Sequence, residues 1–151
     1  MIDPLVTSLS MLARLVTLLG DFHQGRRLAA ESLALAQRLS HPHSLAYARF
    51  WIGWVLQTGG DHAEAVPHLD AAMESGRMFG LPLIVEWARI VRGAAVAQLG
   101  RPTEGIADMR TSIERQEAMG SALERPYCLT LLAEALLAEG DAAQALQLCD
   151  Q

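Results

Sequence analysis

Apolar residues recur along this chain at i, i+3, i+4 and i+7, the period of a helix with one buried face. Over 43–58 the positions are Leu45, Tyr47, Ala48, Trp51, Ile52, Val55 and Leu56. Ile84, Trp87, Ala88, Val91, Ala95 and Val96 repeat the pattern over 83–99, and Leu123, Tyr127, Leu131 and Ala135 repeat it over 123–139. No stretch alternates as a strand does, and none reads as a flexible linker. Each of these helices ends at a glycine, able to take the left-handed conformation that terminates a helix. A new helix then starts at once. Asp21 with Gln24, Asp61 with Glu64 and Asp141 with Gln144 have the spacing of a capping box, each cap being worth about 0.5–2 kcal/mol. The third such start has Arg101 instead, followed by Pro102 and Glu104, which also favour a first turn. The pattern predicts antiparallel pairs: 4–19 with 22–39, 43–58 with 62–78, 83–99 with 102–119, and 122–139 with a remnant from 142.

The pairs are copies of one unit. Gly20, Gly60, Gly100 and Gly140 stand forty residues apart. Five residues after each is a small residue (Gly25, Ala65, Gly105, Ala145), and seven before each is another (Ala13, Gly53, Gly93, Ala133). A fixed period of this size marks a solenoid, whose units bury their apolar faces against their neighbours. Joints at 40–43, 79–82 and 120–122, read as longer than the turns within pairs, separate the units, with Pro42 and Pro82 restarting helices. The expectation is an all-α chain with one repeat domain over 1–151. Its units are 4–39, 43–78, 83–119 and 122–151, the last incomplete, as though cut from a longer array.

Composition narrows the function classes. The net charge is −5, and residues 51–151 carry seven Arg against fourteen acids. Such a surface repels a phosphate backbone, so nucleic acid is not an expected ligand. The chain has no Lys, which excludes lysine chemistry. Cys128 and Cys149 lie in apolar helical stretches and read as small buried hydrophobes in a reduced, cytoplasmic compartment. The first residues lack a basic region, and their apolar run is broken by Ser, Thr and Arg14, so neither a leader nor a membrane span is expected. Phosphate loops, nucleophile elbows and zinc-protease motifs are missing from the sequence. His41-Pro42-His43 reads as a surface loop, and His62 and His68, six apart, do not share a ligand face. No catalytic residue, metal site or cofactor is expected.

The small residues also carry a resemblance. From Gly53, the turn glycine Gly60 follows seven later, Ala65 twelve later and Ala72 nineteen later. The same spacing joins Gly93, Gly100, Gly105 and Ser112, and Ala13, Gly20, Gly25 and Ser32. This resembles the tetratricopeptide repeats, with a period of forty instead of thirty-four and with Leu9, Arg49, Arg89 and Leu129 at the family's tryptophan position. The phrases Leu99–Ile106 and Arg125–Ala135 are similar to variant repeats found beside bacterial regulatory ATPases, in cyclase-linked and transcription-linked signalling proteins.

The resemblance implies a right-handed α–α superhelix whose first helices line a concave groove for peptides. Carried over by position, the groove residues are Arg14, Tyr47, Phe50, Trp54, Gln57, Trp87, Gln98, Tyr127, Thr130 and Glu134, with Thr7, Ser10, Ile90 and Ala94. Tyr47, Trp87 and Tyr127 share one repeat position, which predicts an aromatic ladder; packing between units is the alternative role for these rings. Only Arg14 is basic in the groove, so the family's carboxylate clamp is not expected and a mixed or apolar segment fits better. The function implied is a non-catalytic interaction module of a bacterial signalling protein. It would bind a protein or peptide segment, or an adjacent domain of its own longer chain. A small-effector sensor enclosed by Phe50, Trp54 and Trp87 is one alternative. A structural spacer that self-associates through Leu146, Leu148 and Cys149 is another.

Overall fold

The computed structural model describes residues 1–121 and 124–149, and of Cys149 the backbone only. Eight helices lie among them: α1 (Pro4–Leu18), α2 (Phe22–Leu39), α3 (Pro42–Thr58), α4 (His62–Met78), α5 (Pro82–Gln98), α6 (Pro102–Ala118), α7 (Arg125–Glu139) and α8 (Ala142–Cys149). The described residues contain no strand. Helices α3 and α5 begin one residue earlier than the pattern predicts. Pro42 and Pro82 are their first helical residues, where a fixed φ suits the turn and the missing N–H has no partner to lose. Ala122 and Leu123, predicted to open α7, lie outside the described residues.

Each odd-numbered helix packs on the next, and each even-numbered helix packs on the first helix of the following pair. The first helices α1, α3, α5 and α7 also pack on one another in series, whereas the second helices make no such contacts among themselves. The result is a two-layer array with the first helices inside. Helix α3 is therefore enclosed on nearly all sides, and every residue from Phe50 to Gln57 is buried. A helix so placed must be apolar all round rather than along one stripe.

Close approach of the two helices in a pair rests on the small residues. A Cβ on Gly105 would stand 2.2 Å from the Gly93 carbonyl oxygen, and one on Gly53 would stand 2.6 Å from Leu69 Cγ. The turns follow a rule finer than the forty-residue unit. Gly20, Ser40, Gly60, Gly80, Gly100, Gly120 and Gly140 all have positive φ, one every twenty residues. This corrects the expectation of longer joints. The turns at 40–41 and 79–81 are as short as those within pairs; the predicted joint at 120–122 runs into Ala122, outside the described residues. The forty-residue period is thus two helices of nearly equal length with two tight turns. Ser40 takes the left-handed conformation (φ 51°) that glycine occupies elsewhere.

Two predicted caps form. Asp21 accepts from the Gln24 N–H at 2.9 Å, and Asp141 accepts from the Gln144 N–H at 3.0 Å. The third does not. Asp61 makes no cap bond; its carboxylate lies 2.7 Å from Arg26, which also holds Glu64. A long side chain from α2 has outcompeted the backbone for both members of the box. His41, expected in a surface loop, is half-buried and caps α3. Its Nδ1 accepts from the Ser44 N–H, and Ser44 Oγ in turn accepts from the Asp3 N–H.

Candidate functional site

The inner layer gathers six of the chain's eight Phe, Tyr and Trp rings into one cluster. Phe50 and Trp51 meet edge-on at 4.8 Å between centroids, and Trp51 meets Trp54 at 5.8 Å. From α5, Trp87 lies 5.9 Å from Phe50, and from α7, Tyr127 lies 6.2 Å from Trp54. Tyr47 joins through Trp51 at 5.9 Å. The aromatic ladder is corrected by this arrangement. Each ring of the predicted ladder meets a ring from a different repeat position: Tyr47 with Trp51, Trp87 with Phe50, Tyr127 with Trp54. Stacking equivalent positions ignores the rotation between units, which offsets neighbouring side chains along the inner face.

Trp51, at the centre, belongs in the sequence to the helical apolar pattern and carries no signal of a site. No local feature separates it from core, since a buried tryptophan and a groove tryptophan look alike in sequence. Its indole N–H and that of Trp87 are buried without a hydrogen-bond partner. The rings surround a cavity of about 40 Å³, lined by Phe50, Trp51, Trp54, Trp87, Ile90, Val91, Glu124, Tyr127 and Cys128. A space of that size holds a few waters or a small side-chain group. Burial pushes the Tyr127 phenol up to about 12, opposed by hydrogen bonding to Thr58 and Trp54. The Cys128 thiol rises to about 11 through burial and the neighbouring charge of Glu124. Both groups are therefore uncharged near neutrality, and Cys128 is poorly suited to act as a nucleophile.

Arg14 reaches this cluster from α1. Its guanidinium carbon lies 5.5 Å from the Trp51 ring centre and 6.0 Å from that of Trp54. Its Nη2 is 2.7 Å from Glu124 Oε1, on the turn before α7. One ion pair thus spans the inner face from the first unit to the last. Glu124 is the second residue missed by sequence reasoning, because its partner lies nearly three units away.

The remaining predicted groove residues fall elsewhere. Gln57 is buried beside Thr58, while Gln98, Thr130 and Glu134 are exposed. The Thr130 hydroxyl is turned back to the Pro126 carbonyl, 2.9 Å away. Ser10 does not face a groove: it is fully buried and hydrogen-bonded to Ser32 on α2 at 2.9 Å. Thr7 bonds the Asp3 carbonyl; Ile90 and Ala94 are buried, Ile90 against the cavity. Among the described residues no three His, Cys, Asp or Glu side chains are grouped so as to hold a metal, and no helix is long and apolar enough to cross a membrane.

A two-layer array of repeated helix pairs, with small residues at each seam and first helices inside, defines a right-handed α–α superhelix of repeat type. Models of the tetratricopeptide repeat match residues 5–43, 46–71 and 126–151, together more than half of the chain, and the chain belongs to that family. Repeats of this family serve as protein-interaction scaffolds. A solved Rap protein complexed with competence and sporulation factor is similar in fold, with a TM-score of 0.79 at 17% identity. The likeness covers 99% of this chain and 43% of that one, so the chain spans less than half the length of this relative. No curated protein matches the sequence.

Proposed function

We propose that the inner face is a docking surface for a segment of a protein partner, within a non-catalytic module of a bacterial signalling or regulatory protein in the cytoplasm. The observation that carries this reading is the ring cluster itself. Five aromatic side chains from three first helices line one cavity, Tyr47 joins them through Trp51, and three of the six rings (Tyr47, Trp87 and Tyr127) remain partly exposed. Aromatic anchors around a partly desolvated pocket are the usual centre of a binding surface. The cavity, about 40 Å³, is far below the roughly 300–1,000 Å³ of sites that enclose a whole small ligand. An inserted side chain is therefore favoured over an enclosed effector. A preformed helical array also loses little conformational entropy on binding. That the fold-related Rap protein was captured with competence and sporulation factor is consistent with a ligand-holding array. The partner is a separate protein or an adjacent domain of a longer chain.

The test is affinity capture with the native chain beside a Trp87→Ala variant whose helicity is checked by circular dichroism. A partner held by the native chain and lost by the folded variant supports docking at the rings. Equal capture by both would instead assign the function to a spacer that connects other domains.

A further inference from the structure

Arg14 sits in a cage suited to a guanidinium, yet fits it incompletely. Two indole faces, Trp51 and Trp54, flank its guanidinium carbon at 5.5 and 6.0 Å, within reach of a cation–π attraction. Glu124 supplies the counter-charge at 2.7 Å. A guanidinium matched to a carboxylate makes two parallel N–H···O bonds. Arg14 is held through one nitrogen, Nη2, and its Nε N–H is buried without a partner. Glu124, in the left-handed region at φ 62°, also lines the neighbouring cavity. The cage is thus two ring faces, one carboxylate and adjoining empty space, and its occupant comes from the same chain. The Arg14 side chain keeps 30% of its surface exposed, which leaves it a route out to water.

We infer that Arg14 is an internal stand-in for an arginine side chain carried by the docked segment, to which it yields the cage. This rests on the inner face being a docking surface. The chemistry selects arginine over lysine. A planar guanidinium stacks on indole and is less strongly hydrated than an ammonium, so it enters a ring cage at lower cost. An acidic segment is not favoured, because Glu124 would repel it and the nearby cation is already paired. On leaving, Arg14 gives up one ion pair and regains hydration for its unpartnered N–H.

All three tryptophans of the chain, Trp51, Trp54 and Trp87, lie in this cluster, so intrinsic fluorescence reads its occupancy. Arg14→Ala should empty the cage. Its fluorescence should then titrate saturably with guanidinium chloride and not with ammonium chloride. The response should vanish in the Arg14→Ala/Glu124→Gln double variant and be absent from the native chain at the same concentrations. A short capped peptide with one arginine between leucines should bind Arg14→Ala about tenfold more tightly than its glutamine counterpart. Should Arg14→Ala fail to fold by circular dichroism, Arg14→Gln serves in its place with the same expectations. A folded variant that shows no saturable response, or the same response to ammonium, overturns the cage while leaving docking at the rings intact. Guanidinium binding with no preference between the two peptides overturns the partner's arginine as occupant, while docking at the rings stands or falls on capture by Trp87→Ala.

Discussion

The two layers of this superhelix are held together differently. Inside, neighbouring first helices pack directly and bury rings, as Phe50 of α3 does against Trp87 of α5, and Trp54 of α3 reaches Tyr127 of α7, two first helices on. Outside, the backbones of the second helices stand apart, and long polar side chains span the gaps. Arg26 on α2 holds Asp61 and Glu64; Arg92 on α5 joins Asp70 of α4 to Asp108 of α6; Arg110 on α6 meets Gln144 of α8. Burying a large aromatic is worth several kcal/mol, whereas an exposed ion pair is worth about 0–1 kcal/mol. The inner layer is therefore expected to supply most of the stability. The docking surface proposed above would gain from this division, since its anchors stand on the layer that buries more apolar surface.

The largest test of that contrast is Trp51→Ala, which removes the ring at the centre of the inner cluster. It should cost about 4 kcal/mol in urea denaturation. Next comes the seam between the layers. Gly105→Ala drives a methyl to 2.2 Å from the Gly93 carbonyl, a backbone atom that cannot rotate aside, and should cost about 3 kcal/mol. Gly25→Ala meets instead the hydroxyl end of Thr17 and should cost less.

Alkaline pH probes the inner layer by its buried acids. The Cys128 and Tyr127 pKa values are raised in the folded chain, from 9.0 to about 11 and from 10.0 to about 12. The unfolded chain therefore loses these protons first as the pH rises. Stability from these groups should be complete below about pH 9 and decline between about pH 9 and 12, with tyrosinate absorbance from Tyr127 appearing only at the upper end. Ser40→Gly tests a turn rather than a layer. Relieving a left-handed serine should stabilise the chain by about 1 kcal/mol, read as a rise in melting temperature. The smallest effect belongs to the outer layer. Arg26→Ala should cost about 0.5 kcal/mol, and the loss should shrink in high salt because the pairs are half-exposed. A loss from Arg26→Ala approaching that from Trp51→Ala would reverse the assignment of roles.

Much of the fold was legible before any coordinates. The glycines at 20, 60, 100 and 140 and the small residues near 13, 53, 93 and 133 report local backbone needs, and the chain repeats them at a constant interval. Helix ends and pairing follow from them, and the choice of inner helices is what the family resemblance implies. The candidate site was legible only in part. Position in the repeat located Arg14, Phe50, Trp54, Trp87 and Tyr127 at the inner cluster, but it missed Trp51 and Glu124 and misassigned Ser10. Even the Asp61 cap, a local signal, was lost to Arg26 from another helix.

By itself, the sequence determined what a single unit must be: two helices, a left-handed glycine turn between them, and small residues where their backbones meet. Such features depend on neighbours a few residues away. Only the tertiary structure decided which rings touch and that Arg14 pairs with Glu124 across the inner face. Those contacts depend on the rotation from one unit to the next, summed over nearly three units, and no local spacing encodes that sum.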